Sequence, residues 1–424
     1  MVIELVNTGS ELMLGRVLNL HQQWICRELA DRGWVVERQV AVGDSGVEIE
    51  QAVREALARA DLVITTGGLG PTSDDLTRDL VAQLLGRNLK EDAVVVAHIR
   101  KFFKLRKRPM PERTRVQALV PEGAIVLANA HGTAPGLAIE VNPNRFRSGG
   151  QASWLVMLPG PPRELRPMFT DQVLPLLGRV LPPARLVVCR TLRTTGIGES
   201  FVQERISASL QALVEAGLDL GYCARPGQVD VRLAARAPEA EQLVQAAEQV
   251  VRKKLGARIY GTEGQELEAV IVGLLTERGQ TLALAESCTG GCIAHRVTNV
   301  PGASAVLLAG LVTYSNAAKQ KFLGVEAEAI AIQGAVSEPV ARQMAEGARR
   351  ETGADYALSV TGIAGPSGGT DAKPVGTVFI ALAGAFETVV EWNLNPYDRE
   401  TFKQVTAQQA LDLLRRKITP RQRS

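Results

Sequence analysis

Short apolar strands that end in glycine-rich loops, each followed by a helix, recur along this chain of 424 residues. The clearest is Leu62-Val63-Ile64-Thr65, which runs straight into Thr66-Gly67-Gly68-Leu69-Gly70-Pro71. Such a strand has almost no polar side to show to water, so both of its faces must be covered. A largely parallel sheet with helices on both sides does this. The surrounding pattern agrees: a strand over 2–6, a helix over 17–31 and a strand over 34–40. Ile49, Val53, Ala56, Leu57 and Ala60 then recur at helical spacing, with Ser45 and Glu48 as an expected capping box. A further strand is expected over 154–158, and Pro161 and Pro162 suit the first turn of the helix after it. The fold class predicted is α/β.

The length is too great for one ordinary core and predicts two or three domains. Aromatic residues make up only 4%, so the cores must be built from Ala, Val, Leu and Ile. Leu181-Pro182-Pro183 breaks the first pattern. A strand over 185–193, a helix over 199–216, strands near Leu220 and Val231 and a helix over 239–255 form a small α+β connecting unit. A second α/β domain begins near Arg258, with a helix over 266–278, a strand over 281–285 and a glycine turn. Further strands are expected near 305–314, 356–361, 375–383 and 388–392, and a last helix over 399–416. The expected domains are 1–177, 178–257 and 258–424.

The net charge of +3 is too small to imply a polyanion partner by itself. No apolar window is long enough for a membrane span. The start Met1-Val2-Ile3-Glu4 reads as a strand and not as a signal peptide. Five scattered cysteines do not form a disulfide pattern, so a cytoplasmic location is expected.

The glycine run after Thr65 lets backbone N–H groups approach an anion. A helix expected to start near Asp74 adds the positive end of its dipole. The loop falls at the carboxyl edge of the sheet, where α/β folds bind ligands. Asp74 and Asp75 admit two readings: helix-start acids, or carboxylates holding a divalent metal that bridges phosphate oxygens. The loop Asn7-Thr8-Gly9-Ser10-Glu11 offers another carboxylate, and Asn129-Ala130-His131-Gly132-Thr133-Ala134-Pro135-Gly136 offers further backbone donors. No Gly-Lys-Ser/Thr comes after the glycines, which excludes a Walker-type phosphate loop.

The run from Thr66 through Asp74-Asp75-Leu76-Thr77, with the two other loops, resembles the CinA (competence/damage-inducible) family. The N-terminal domain of that family is similar to molybdopterin-binding enzymes of the MoaB/MogA type, which implies a three-layer α/β domain. The resemblance implies a metal-dependent ADP-ribose pyrophosphatase with AMP and ribose 5-phosphate as products. Thr8, Gly9, Glu11, Thr66, Gly67, Gly68, Asn129 and Gly132 are then expected around the substrate, with Asp74 and Asp75 at the metal. The amides of Gly67 and Gly68 are expected on the phosphates. The ion's identity stays open, with potassium as a further candidate.

In the last domain the strand over 281–285 leads into Glu286-Ser287-Cys288-Thr289-Gly290-Gly291. A serine just past a strand end, at a sharp turn before a helix, sits where nucleophiles are exposed near free amides. The chain has only four histidines, so a neutral lysine is the alternative base. Tyr314-Ser315-Asn316-Ala317-Ala318-Lys319 supplies one after another strand, and Thr361-Gly362-Ile363-Ala364-Gly365-Pro366 adds a further glycine loop. Singly, the serine reads as a helix cap and the lysine as a surface charge; their recurrence at successive strand ends points to a site.

Ala-Glu-Ser-Cys-Thr-Gly-Gly, Pro301-Gly302-Ala303-Ser304, Tyr-Ser-Asn-x-x-Lys and Val-Thr-Gly-Ile-Ala-Gly-Pro together look like the amidohydrolase domain of the same family. That domain also exists alone as nicotinamide-nucleotide amidase. The resemblance implies Ser287 as nucleophile, Lys319 as its base, and Ser304, Tyr314, Thr361 and Arg399 as binding or supporting groups. The family's Gly-Asp-Arg is Tyr397-Asp398-Arg399 here. Nicotinamide mononucleotide is the implied substrate, with Arg399 on its phosphate and its charge lowering the pKa of Lys319. Amides near Gly290 and Gly291, or in the Thr361–Gly362 loop, are expected at the oxyanion. No cofactor is expected for this half, and a homodimer is the implied assembly.

Cys288, Cys292 and His295 fall at i, i+4 and i+7, but no fourth ligand is evident and they read as buried thiols and a lone histidine. The basic run 100–108 reads as a solvated helix end with Phe102 and Phe103 in the core, so neither nucleic acid nor a membrane is an expected partner. Two competing functions remain: an N-terminal domain that only binds a molybdopterin-like or nucleotide ligand, or a DNA-uptake or repair accessory with steeply salt-dependent DNA affinity.

Overall fold

The computed structural model describes residues 1–182, 188–236 and 239–419. The chain divides into two compact units, Met1–Val188 with Arg236–Pro238, and Cys189–Ala235 with Glu239–Ser424.

The first unit is a three-layer α/β domain. Its sheet runs in the order Arg38–Val42, Ile3–Thr8, Leu62–Thr66, Ser153–Leu158, Gly136–Val141, Ile125–Leu127. The first four strands pair parallel and the two pairings beyond them are antiparallel, so Gly136–Val141 runs against the other five. Side chains alternate across it as a strand requires. Leu62, Ile64, Val156 and Leu158 pack with Ile25 and Leu29 of the helix Leu20–Ala30 and with Leu165 and Phe169. Val63, Leu155 and Met157 pack on the other side with Ile49, Val53 and Leu57 of the helix Gly46–Leu57 and with Val81 and Leu84.

Several local expectations shift. The helix expected from residue 17 starts at Leu20, because the Asn19 side chain accepts the Gln22 N–H and caps it there. The strand expected over 34–40 is Arg38–Val42; Trp34 instead turns into the core and its indole N–H donates to the Leu181 carbonyl. The Ser45–Glu48 capping box does not form, since no side-chain hydrogen bond caps that helix. Phe102 is half-buried and not in the core, with the Arg106 guanidinium stacked 3.4 Å from its ring centroid.

The second unit contains two sheets. The smaller, in the order Asp219–Arg225, Gln228–Ala235, Val188–Thr195, Ile259–Thr262, carries the helices Glu199–Glu215 and Ala240–Leu255. Residues 185–187 of the strand expected there lie outside the described residues. The strand Ile259–Thr262 pairs with Leu192–Thr194, so this sheet continues past residue 257. Polar contacts tie the small sheet to the C-terminal part of the same unit: Arg193 donates to the Gln265 carbonyl at 2.7 Å, and Gln408 reaches Thr195 at 3.3 Å.

The larger sheet runs Leu307–Val312, Leu282–Glu286, Tyr356–Gly362, Thr377–Ala383, Thr388–Leu394; the first three strands pair parallel and the two pairings beyond them are antiparallel, so Thr377–Ala383 runs against the other four. Leu282 and Leu284 face the helices Leu267–Arg278 and Arg399–Ile418. Ala283 and Ala285 face Leu323 and the helix Glu338–Thr352. Parallel pairing brings the carboxyl ends of Leu282–Glu286, Leu307–Val312 and Tyr356–Gly362 to one edge, and the candidate catalytic residues are delivered there. Among the described residues no helix is long and apolar enough to cross a membrane.

Candidate active site

At that edge Ser287 comes directly after its strand, and its N–H is held by the Val360 carbonyl of the neighbouring strand at 3.1 Å. Gly290 and Gly291 then turn the chain at φ 60° and 94°, a region that side-chain-bearing residues avoid, before the helix Cys292–Thr298. Lys319 arrives from the other side. Ser315 caps the helix Asn316–Leu323 by accepting the Ala318 N–H, which turns Lys319 back under the sheet edge. Its side chain is only 1% exposed, and Nζ lies 3.0 Å from Ser287 Oγ. Nζ also donates to the carbonyls of Thr313 at 2.9 Å and Tyr314 at 3.2 Å.

Burial holds Lys319 below the ordinary lysine range, because removing an ammonium from water disfavours the charged form. The expectation that Arg399 lowers it by charge is not met. Arg399 instead donates to the Gly365 carbonyl at 3.0 Å and the Tyr314 hydroxyl at 2.8 Å. The adjacent Cys288 thiol is pushed up to about 12 by burial, so the neighbouring sulfur is not a competing nucleophile at neutral pH.

Two expected oxyanion donors are already used. The Gly291 N–H donates to Glu286 Oε2 at 3.0 Å, and the Gly290 N–H to the Ser287 carbonyl at 3.1 Å. Glu286 is the residue that sequence reading missed. Its buried carboxylate also accepts from the Ile293 and Ala294 amides at 3.1 and 2.8 Å, and so takes the open N–H groups of the helix start. An acid closing an otherwise apolar strand was the only available signal. The Cys288 and Thr289 amides donate to no backbone carbonyl among the described hydrogen bonds; both lie beside the Cys288 sulfur. Glu286→Gln keeps one acceptor oxygen but loses the charge and sets an NH2 group against N–H donors. Denaturant titration of the full chain should show the unit containing Ser287 destabilised by about 2–3 kcal/mol.

Other expected residues divide. Thr361 is buried and donates to the Ala335 carbonyl at 2.8 Å, so it braces the loop. Gly362 is needed because a Cβ there would fall 2.8 Å from the Thr377 carbonyl oxygen. Ser304 is not brought to Ser287. It sits in the turn Ala303–Ala305 before the strand Leu307–Val312, at the amino edge of the parallel strands, whereas Ser287 is at the carboxyl edge. Cys288 lies before the helix Cys292–Thr298 and shares no face with Cys292 and His295; no cluster of three or more His, Cys, Asp or Glu placed to hold a metal occurs among the described residues. Lys403 reaches to 3.9 Å from where a Gly290 Cβ would stand, one helical turn beyond Arg399.

The first unit holds a cavity of about 400 Å³ at the carboxyl edge of its own sheet. Thr8, Gly9, Glu11, Gly67, Gly68, Asp74 and Asp75 line it, joined by Asp44, Gln117 and Glu164. The acid pair does not open a helix: the helix is Thr77–Leu85, capped at Leu76 without a side chain. Thr77 packs on Gly68, where any Cβ would collide with its hydroxyl, and this close contact fixes the start there. Asp75 closes its own turn by accepting the Thr72 N–H at 2.9 Å. The Gly67 N–H is committed to the Leu158 carbonyl at 2.9 Å, while the Gly68, Leu69 and Gly70 amides donate to no acceptor among the described residues. Thr66, Asn129 and Gly132 stand behind the wall. Thr66 bonds Asn7, while Asn129 donates to Glu164 at 2.8 Å and Gly132 leaves room for that carboxylate.

Comparison with known proteins decides the family. A "CinA C-terminal domain" model matches residues 264–418, a "Probable molybdopterin binding domain" model residues 4–179, and a "Damage-inducible protein CinA KH domain" model residues 189–261. A CinA-like protein of Akkermansia muciniphila is 43% identical over 410 residues, covering 96% of this chain and 95% of its own length. The chain belongs to the CinA family. A second CinA-like protein, from Kosmotoga olearia, is 40% identical over 423 residues, covering 99% and 100% of the two chains. Among solved structures, the competence/damage inducible protein CihA of Agrobacterium tumefaciens is 40% identical, covers 35% of this chain and 92% of its own, and has a TM-score of 0.35. In this CinA-family chain the MoaB-like domain comes first, the KH-like unit second and the CinA domain last.

Proposed function

We propose that the C-terminal domain is a Ser/Lys amidohydrolase that converts nicotinamide mononucleotide and water to nicotinate mononucleotide and ammonia. The observation that carries this reading is the buried 3.0 Å contact between Lys319 Nζ and Ser287 Oγ. With Lys319 neutral, its two N–H bonds point at the Thr313 and Tyr314 carbonyls, and the lone pair is left facing the serine hydroxyl. Lys319 takes the Ser287 proton as Oγ attacks the carboxamide carbon. In this reading the Cys288 and Thr289 amides, on the turn that carries Ser287, are the donors for the developing oxyanion. The ammonium of Lys319 returns the proton to the leaving nitrogen, and water then releases the acyl group by the same route. Arg399 is held by Tyr314 and Gly365 for the phosphate. Incubating the full chain with nicotinamide mononucleotide and identifying nicotinate mononucleotide and ammonia tests the reading directly.

The acid-rimmed cavity favours a second activity in the first unit, cleavage of ADP-ribose to AMP and ribose 5-phosphate. Its donors are all hard oxygens, which suits magnesium or manganese. No three of them converge on one point among the described residues. That set fits an ion held by one or two carboxylates together with substrate phosphates. Asp74, with the less free Asp75, would hold it, and when bound it supplies charge neutralisation at the pyrophosphate. The Gly68, Leu69 and Gly70 amides bind phosphate oxygens. Changing Asp74 and Asp75 together to Asn should lower AMP release about 100-fold or more while leaving deamidation at its wild-type rate. Undiminished AMP release would remove the acid pair from the site. Tight AMP binding without any cleavage would favour a binding domain.

A further inference from the structure

Five carboxylates rim the cavity of the first unit, and only Glu164 among them is buried. Glu11 and Asp74 are exposed, while Asp44 and Asp75 each spend an oxygen on a backbone N–H, of Ser10 and Thr72. Glu164 is 9% exposed and comes from the helix Pro162–Met168, which follows the strand Ser153–Leu158. One of its oxygens, Oε2, accepts from Asn129 Nδ2 at 2.8 Å. The other, Oε1, has no hydrogen bond among the described residues and is left open on the cavity side. Arg163 stands 3.8 Å from it, beyond hydrogen-bond reach, and its side chain is 78% exposed.

The surroundings hold this carboxylate in one orientation. Asn129 Nδ2 also donates to the Ala134 carbonyl at 2.7 Å, and its Oδ1 accepts the His131 N–H at 3.0 Å, so the amide cannot turn over without losing all three bonds. His98 holds the same loop by donating from Nε2 to the Gly132 carbonyl at 2.9 Å. Gly132 itself has to be glycine, because any Cβ there would collide with Glu164 Oε2. A buried carboxylate with one hydrogen bond and no cation in bonding reach is a poor device for stability. Glu286 in the other unit shows the stabilising arrangement, with both oxygens taken up by three amides. Glu164 is fixed through one oxygen and open through the other, as a base held by its orienting group is.

Its place in the sheet gives it something to act on. Ser153–Leu158 is the direct neighbour of Leu62–Thr66, whose loop carries the Gly68, Leu69 and Gly70 amides, and strands so paired are about 4.8 Å apart. The two loops touch: a Cβ on Gly160 would stand 3.9 Å from the Gly67 Cα. Glu164 therefore flanks the phosphate-holding loop on the side away from Glu11, which follows the strand Ile3–Thr8.

We propose that Glu164 is the general base of the first unit's pyrophosphate cleavage and that Asn129 positions it; the proposal rests on the ADP-ribose reading. Oε1 accepts a proton from water as the water oxygen bonds to one phosphorus. The bond from that phosphorus to the bridging oxygen breaks, and the bridging oxygen leaves on the other phosphate. AMP and ribose 5-phosphate result, and Glu164 returns the proton to solvent.

Two variants of the full chain test this. Glu164→Gln keeps an acceptor for Asn129 but cannot take a proton, and Glu164→Ala removes the base and leaves a gap. Glu164→Gln should lower kcat for AMP release about 100-fold or more, with KM, and the Kd for AMP measured by calorimetry, within about three-fold of wild type. Added formate, a small carboxylate that fits the gap, should raise AMP release by Glu164→Ala about 10-fold and leave wild type and Glu164→Gln unchanged. A mere brace, or a residue that grips a ribose hydroxyl, predicts the opposite: its loss moves KM and Kd, and formate restores nothing. Near-normal kcat in Glu164→Gln, a loss confined to KM or Kd, or no rescue of Glu164→Ala overturns the base. Asn129→Ala should lower kcat about 10-fold in the wild type and no further in Glu164→Gln, because it acts only through that carboxylate; additive losses overturn its positioning role. A wild type that releases no AMP from ADP-ribose overturns the ADP-ribose reading and the role of Glu164 with it. An active wild type beside an equally active Glu164→Gln overturns the role of Glu164 alone.

Discussion

Ser287→Ala should abolish deamidation of nicotinamide mononucleotide, lowering kcat by about 10⁴-fold or more, while the Kd measured by calorimetry stays within about three-fold. The split reflects what the hydroxyl does. Its oxygen is enclosed beside Lys319 and forms a bond only as the carboxamide is attacked, so its removal costs transition-state stabilisation and little ground-state binding. The wild type, quenched at low pH, should carry a nicotinoyl-nucleotide ester on Ser287 detectable by mass. Retained turnover in the variant would show that the nucleophile is elsewhere.

Lys319→Arg should lose about 10³-fold in kcat/KM and should not recover at any accessible pH, because guanidinium stays protonated. The wild type gives the complementary signature. Lys319 works only when neutral, and burial sets its pKa below the ordinary lysine value of 10.5. Activity should therefore rise with pH, climb through the folded-state pKa of Lys319 and level off above it, with the inflection below that ordinary value. A profile that falls over the same range would mean that the ammonium is the active form. The two variants differ in origin: one removes the attacking atom, the other keeps a cation in place and removes only its ability to accept a proton.

Much of this arrangement was legible from residue types at strand ends. Leu282–Glu286 and Leu307–Val312 are apolar runs that stop abruptly, so the next residues of each land on one sheet edge, and Ser287 and Lys319 were readable for that reason. The three-layer N-terminal domain was readable likewise, because Leu62–Thr66 is buried along its whole length. Hydrogen-bond bookkeeping was not readable. Gly67, Gly290 and Gly291 each look like a free amide in sequence, and each is committed to an acceptor that only the folded chain supplies. Glu286 was missed because a buried acid at the end of an alanine- and leucine-rich strand carries no periodic signal. Helix starts moved where one side chain outweighed the pattern, as at Asn19, or where two residues touched, as at Gly68 and Thr77. Ser304 was grouped with Ser287 by family pattern, yet the direction of a parallel strand puts the two at opposite ends.

The burial of Cys288 has a consequence for how the protein would age in a cell under oxidative attack. Peroxides and alkylating agents react with thiolate, and a thiol pushed up to about 12 holds only about one part in 10⁵ as thiolate at pH 7. Cys288 is the chain neighbour of the proposed nucleophile, so its oxidation would add bulk within the same turn. Burial disfavours the thiolate at that sulfur, and does the same at the half-buried Cys26. The exposed Cys223, on the small sheet and not in the Ser287 turn, is the most accessible thiol among the described residues.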